Sequence, residues 1–198
     1  LTNRLAPLVL ERNLLLEQVE DPQQRNRWTR LFNAVDGAMA LLRPLMLVLA
    51  PSSPRLEASQ LNTLVQEAFK RVQPEAAAAG VVMDTMLDPN VPLCGLDPDQ
   101  VREALVGLLR HGIHAASDSP ARRVRIATRS VGHALQVVCQ DTGSAIPEPE
   151  RGRVFDLAGA KDVESLGLCV LAAVARAHGG RVSVRSQEGV GNAYLMEL

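Results

Sequence analysis

Gln140–Asp141–Thr142–Gly143–Ser144–Ala145–Ile146–Pro147 follows an apolar run, Ala134 to Cys139, that predicts a strand. An acid and a glycine in a tight turn after a strand can hold a purine. The carboxylate accepts from an exocyclic amine, and the glycine lets the ring come close. An Asp-x-Gly is also a common turn by itself, so Asp141 has two readings at this point: purine acceptor or turn former.

On either side of this turn the periodicities alternate between helix and strand. Leu61 to Val72 carries Leu61, Leu64, Val65, Ala68 and Val72 on one helical face, and Gly80 ends the next helical segment. Val81–Val82–Met83 starts a strand. Asp97 to Ala116 reads as a strong helix, capped by Asp97, with Val101, Leu105, Leu108, Leu109 and Ile113 buried. Strands are expected at Arg123–Thr128, Ala134–Cys139, Arg181–Arg185 and Ala193–Glu197. A last helix, Leu168 to Ala177, stops at Gly179–Gly180. This mixture predicts an α+β fold, an α/β-sandwich, over residues 55–198.

Residues 1–54 read differently. Leu1, Leu5, Leu8, Leu15 and Val19 fall at helical spacing, and Glu20–Asp21–Pro22 breaks the run. Trp28, Leu31, Phe32, Val35, Met39 and Leu42 continue it in a second helix. Such a helical hairpin cannot bury both apolar faces alone, and a dimeric four-helix bundle is the natural solution. Pro51–Ser52–Ser53–Pro54 reads as a hinge to the second domain.

Composition narrows the function classes. A net charge of −1 gives no bulk attraction to nucleic acid or to an anionic membrane. Only 3% of residues are aromatic, which argues against stacking platforms for single strands. Cys94, Cys139 and Cys169 sit in apolar contexts and read as reduced buried thiols of a cytoplasmic protein, neither disulfide nor metal site. The longest apolar stretch, Ala38 to Ala50, is interrupted by Arg43 and Pro44 and is too short to span a bilayer. Membrane contact is therefore expected only through regions outside this chain. The chain opens on Leu1, so it is expected to be a fragment.

In order and spacing, these motifs resemble bacterial sensor histidine kinases. Asp97–Pro98–Asp99–Gln100–Val101–Arg102–Glu103–Ala104–Leu105 is similar to the entry of the family's N-box helix. That helix then supplies two asparagines four residues apart, where this chain has Gly107 and His111. Asp141 and Gly143 match the family's DxGxG box, with Ala145 at its second glycine. Phe155 matches the F-box phenylalanine. The GxGLGL box survives as Leu166–Gly167–Leu168, with Val163 and Ser165 at the earlier glycine positions. His178–Gly179–Gly180, Gly189 and Gly191 match the end of the domain. Leu1–Thr2–Asn3–Arg4–Leu5 fits positions three to seven of the H-box, which puts a phosphoacceptor histidine two residues before Leu1.

The resemblance implies a dimerisation hairpin followed by an ATP-binding domain in two-component signalling. It implies a nucleotide site at Gly107, His111, Asp141, Gly143, Ala145, Lys161, Gly167 and Leu168. Magnesium wants hard oxygen ligands, which asparagine offers and His111 does not. Side chains at Val163 and Ser165 obstruct a glycine-rich phosphate turn, and Glu164 adds like charge there. The implied ligand is thus weakly held ATP, with magnesium disfavoured, no metal ligand set and no catalytic residue in this chain. Three functions stay open. One is a degenerate kinase, acting as pseudokinase, phosphotransfer module or scaffold on a response-regulator receiver domain. Another is an active kinase whose acceptor lies upstream. The third is a non-catalytic partner-binding regulator of the same ATPase superfamily.

Overall fold

A computed structural model describes residues 19, 21–50, 52–132, 134–160 and 162–198, without the side chains of 36–44 and 163. The first helix of the expected hairpin falls almost wholly outside these residues, as do Lys161 and His133. The chain divides into two compact units, Leu1–Arg43 and Pro44–Leu198.

The described part of the first unit is helical. Helix α1, Pro22–Leu49, begins where the break at residues 20–22 was expected and continues into the second unit. Asp21 Oδ1 accepts from the Gln23 N–H at 2.8 Å, and Pro22 occupies the first turn, where no N–H is needed. Trp28 and Phe32, one turn apart, stack with ring centroids 6.0 Å apart. Trp28, Leu31 and Val35 remain about half exposed along this helix, at 44%, 52% and 51%.

The second unit is a two-layer α/β sandwich. Its elements in chain order are β1 (Glu57–Gln60), α2 (Leu61–Ala78), β2 (Val82–Leu87), β3 (Leu93–Leu96), α3 (Pro98–Ser117), β4 (Arg123–Val131) and β5 (Ala134–Asp141). There follow the short α4 (Glu148–Arg151), a 3₁₀ turn (Leu157–Gly159), α5 (Val163–Ala177), β6 (Arg181–Gln187) and β7 (Gly191–Glu197). The main sheet has the order β2-β4-β5-β7-β6, and only β2 and β4 run parallel. β1 and β3 form a separate antiparallel pair.

Strand alternation separates the faces. Val124, Ile126 and Thr128 of β4 are buried, and the residues between them point to the open side. Leu135, Val137 and Cys139 of β5 do the same, with Tyr194 and Met196 of β7. Helices α2, α3 and α5 cover this inner face. Val101, Leu105, Leu108 and Leu109 make α3 the central helix of the core. Each such side chain contributes roughly 1.5–3 kcal/mol when fully buried.

Three features differ from the sequence reading. α2 is one helix through Pro74, because Val72 and Ala76 on either side are both buried and Pro74 faces solvent. β1 and β3 went unrecognised: Glu57–Gln60 is short and polar, and Leu93–Leu96 contains a glycine. α5 also begins at Val163, more than a turn before Leu168.

Candidate functional site

The expected site lies where the end of β5, the middle of α3 and the start of α5 converge. α3 is fixed at its entry by Asp97. Its Oδ1 accepts from the Gln100 N–H at 3.0 Å and its Oδ2 from the Arg55 N–H at 2.9 Å. The Asp97 N–H donates to His178 Nε2 at 3.0 Å. His178 Nδ1 must then carry the proton it gives to the Val174 carbonyl at 2.8 Å, so this histidine is a neutral structural bridge between two helix ends.

Asp141 ends β5 and is 3% exposed. Its Oδ1 accepts from the Gly143 N–H and from Asn192 Nδ2, both at 2.8 Å. Its Oδ2 is buried and has no partner. Asn192 stands directly opposite on β7. It is oriented in turn by Ser186 Oγ at 2.7 Å, and that hydroxyl also accepts from the Ile146 N–H at 2.7 Å. Asn192 Nδ2 reaches the Ser144 carbonyl at 3.2 Å. The turn is thus held from both sides, with one carboxylate oxygen left over.

Burial raises the Asp141 pKa, and the bonds from Asn192 and Gly143 oppose the rise without cancelling it. The folded pKa lies above the unfolded value of about 3.9, so the native state binds more protons in the window above that value. Stability therefore falls as pH rises through this window. Asp141→Asn should remove this slope, so that its stability relative to the native protein improves from pH 4 toward pH 8. Urea denaturation at the two pH values checks it, and equal pH slopes for both proteins would refute it.

Gly143 is required by close packing. A Cβ there would lie 2.6 Å from the Ala115 carbonyl oxygen of α3. Ala145, two residues on, is half-buried.

The other end of the site is built differently. Asp162 and Ser165 form a reciprocal capping box: the Ser165 N–H donates to Asp162 Oδ1 at 2.8 Å, and the Asp162 N–H donates to Ser165 Oγ at 3.0 Å. The cap starts α5 at Val163, so helix stands where a glycine-rich turn was compared. Gly167 and Gly107 then meet backbone to backbone, and a Cβ on Gly107 would lie 2.8 Å from the Gly167 Cα. Leu168 is buried in the core.

His111 makes a hydrogen bond between Nε2 and Tyr194 Oη at 3.0 Å, with the rings edge to face and centroids 5.3 Å apart. Its Nδ1 is buried without a full hydrogen bond. Burial lowers the His111 pKa, against the opposing pull of the Asp162 carboxylate, the Glu164 carbonyl and the Glu164 carboxylate. The imidazole is therefore neutral at pH 7.

The structure thus brings Gly107, His111, Asp141, Gly143 and Gly167 into one region across α3, with Ala145 on the turn and Leu168 in the core. The orphaned Asp141 oxygen fits a purine amine. The opposite end does not fit a magnesium triphosphate: position 107 has no side chain, His111 is engaged with Tyr194, and two helix backbones touch. Among the described residues no cluster of His, Cys, Asp or Glu could hold a metal ion. The sequence reading missed Asn192, Ser186, Tyr194 and Ala115. Only Asn192 had a signal, its place directly after Gly191.

Residues 96–198 match the family described as histidine kinase-, DNA gyrase B-, and HSP90-like ATPase. The alginate biosynthesis sensor protein KinB of Pseudomonas aeruginosa is 27% identical over 198 aligned residues, 94% of this chain and 33% of that protein. The sensor histidine kinase ZraS of Escherichia coli K12 is 24% identical over 165 residues, 82% of this chain and 35% of that protein. The chain therefore spans about a third of the length of these relatives. Among solved structures, full-length ShkA in complex with AMPPNP shares the fold, with a TM-score of 0.72 at 19% identity, over 98% of this chain and 45% of that one.

Proposed function

The chain belongs to the histidine kinase-, DNA gyrase B- and HSP90-like ATPases, as a bacterial sensor histidine kinase ATPase domain, and on that premise we propose that its nucleotide site is degenerate. The family is one of ATPases, and its sensor histidine kinase members serve two-component signalling. Our reading is that this member has lost the magnesium-triphosphate half of the site while keeping the Asp141 half. The single observation behind it is the Gly107–Gly167 contact, which leaves neither an asparagine oxygen for a hard cation nor an open phosphate turn.

In this reading the protein works as a pseudokinase or scaffold on a response-regulator receiver domain. Residues 1–54 form the dimerisation hairpin and residues 55–198 the ATPase-like domain, in the cytoplasm. The exposed Trp28, Leu31 and Val35 on α1 support pairing with a second copy. Among the described residues no helix is long and apolar enough to cross a membrane.

A second reading has one observation in its favour. The unpartnered Asp141 oxygen is what an adenine amine would use, so a working kinase with its acceptor histidine upstream remains the alternative. Calorimetry separates the two. The degenerate site should hold ATP no tighter than about 1 mM, roughly 4 kcal/mol, and adding magnesium should not improve it. Micromolar, magnesium-dependent binding would overturn the proposal in favour of the working kinase.

A further inference from the structure

We propose that the open face of the five-stranded sheet docks a protein partner presenting acidic side chains beside an apolar ridge. The inference does not rest on the state of the nucleotide site, although Asp141, Ser186 and Asn192 of that site border one end of this face.

The strand register sorts this face into transverse rows. Asp84, Arg125, Gln140, Ala193 and Arg185 fall in one line across β2, β4, β5, β7 and β6. The next outward line is Met86, Ala127, Val138, Leu195 and Ser183. Arg129, Gln136, Glu197 and Arg181 form the line beyond. An apolar stripe therefore lies between two charged rows, and Met86 at its edge is 62% exposed. An apolar stripe with a polar rim is the usual composition of a protein contact surface.

Charge identifies the partner. The face carries five arginines, at 123, 125, 129, 181 and 185, against two carboxylates, Asp84 and Glu197, in a chain of net charge −1. Both carboxylates are already engaged. Asp84 lies 3.2 Å from Arg123 and 3.8 Å from Arg125. Glu197 accepts from Arg181 at 2.8 Å and from Gln136 at 3.0 Å. Arg185 has no partner among the described residues. Arg125 and Arg185 stand three strand spacings apart, roughly 14 Å, across the small floor residue Ala193. With Arg123, Gln140 and Gly191 these residues line a depression of about 400 Å³.

Other occupants fit less well. Nucleic acid would find no aromatic side chain in these rows on which to stack a base. A second copy would bring the same five arginines against themselves. A small anion would meet only exposed guanidinium groups, with Arg123 and Arg125 at 56% and 47% exposure.

The test uses the whole chain and labelled amphipathic helical peptides with leucine along one face. One peptide has glutamate on both flanks, and its control has lysine there. Fluorescence anisotropy should show the glutamate peptide binding and the lysine peptide failing. Arg125→Glu with Arg185→Glu should weaken binding by about tenfold or more, and Leu195→Ser should weaken it independently. Raising the salt should weaken it too. All three positions lie on the outward face, and unchanged thermal unfolding of each variant will show that folding is intact. Equal binding of both peptides, or no loss in the arginine variant, would overturn the proposal. So would sedimentation showing a dimer that Leu195→Ser dissociates, because the face would then belong to a second copy.

Discussion

Replacing Gly167 by alanine should destabilise the second unit by about 2 kcal/mol or more. The added methyl would run into the Gly107 carbonyl oxygen and backbone, which belong to α3 and cannot swing away as a side-chain tip could. Overpacking of this kind costs about 1–3 kcal/mol and occasionally more. Helix propensity acts the other way, since alanine is favoured over glycine by about 1 kcal/mol inside a helix. The clash is expected to win because two backbones meet at the contact. Gly107→Asn, which restores the family residue, should also destabilise the fold. Its Cβ would lie 2.8 Å from the Gly167 Cα, and asparagine gains less from propensity than alanine. Denaturant unfolding of both variants measures the effect. A Gly107→Asn protein of normal stability that binds magnesium-ATP would show that the helices can part, and would refute the Gly107–Gly167 contact as the cause of a degenerate site.

Removing the Asp97 carboxylate should be nearly as severe. Asp97→Ala leaves the N–H groups of Gln100 and Arg55 without their acceptor, at a residue only 7% exposed. A lost N-cap costs about 1 kcal/mol, and a buried donor left unsatisfied about 1–3 kcal/mol. A total near 2–3 kcal/mol is expected, equivalent to a fall of several degrees in Tm for a domain of this size. Asp97→Asn keeps one acceptor oxygen and should recover part of the loss. Equal effects for the two substitutions would refute this role. The loss should appear in stability and leave the response of Asp141 to pH unchanged, because the two carboxylates lie at different ends of α3.

The element pattern was local and therefore legible. The helical spacing of Val101, Leu105, Leu108 and Leu109 and the alternation along β4 each need only a short window of chain. Asp97 as a cap and Gly179 as a stop are equally local, because a cap bonds residues a turn or less away. Asp141 with Gly143 could be singled out for the same reason: the Gly143 N–H donates to the Asp141 carboxylate two residues earlier. Long-range placement was not legible. Asn192 reaches Asp141 across 51 residues, because β7 pairs with β5 while β6, its neighbour in sequence, goes to the edge. His111 could be placed on α3 by spacing, but its bond to Tyr194 depends on how α3 lies on the sheet. Gly107 read as the loss of an asparagine and Gly167 as a remnant of a glycine box. Their contact depends on the crossing of α3 and α5, which no window of sequence contains. A missing side chain at one position became a helix–helix contact only when the absent side chain at the other lay against it.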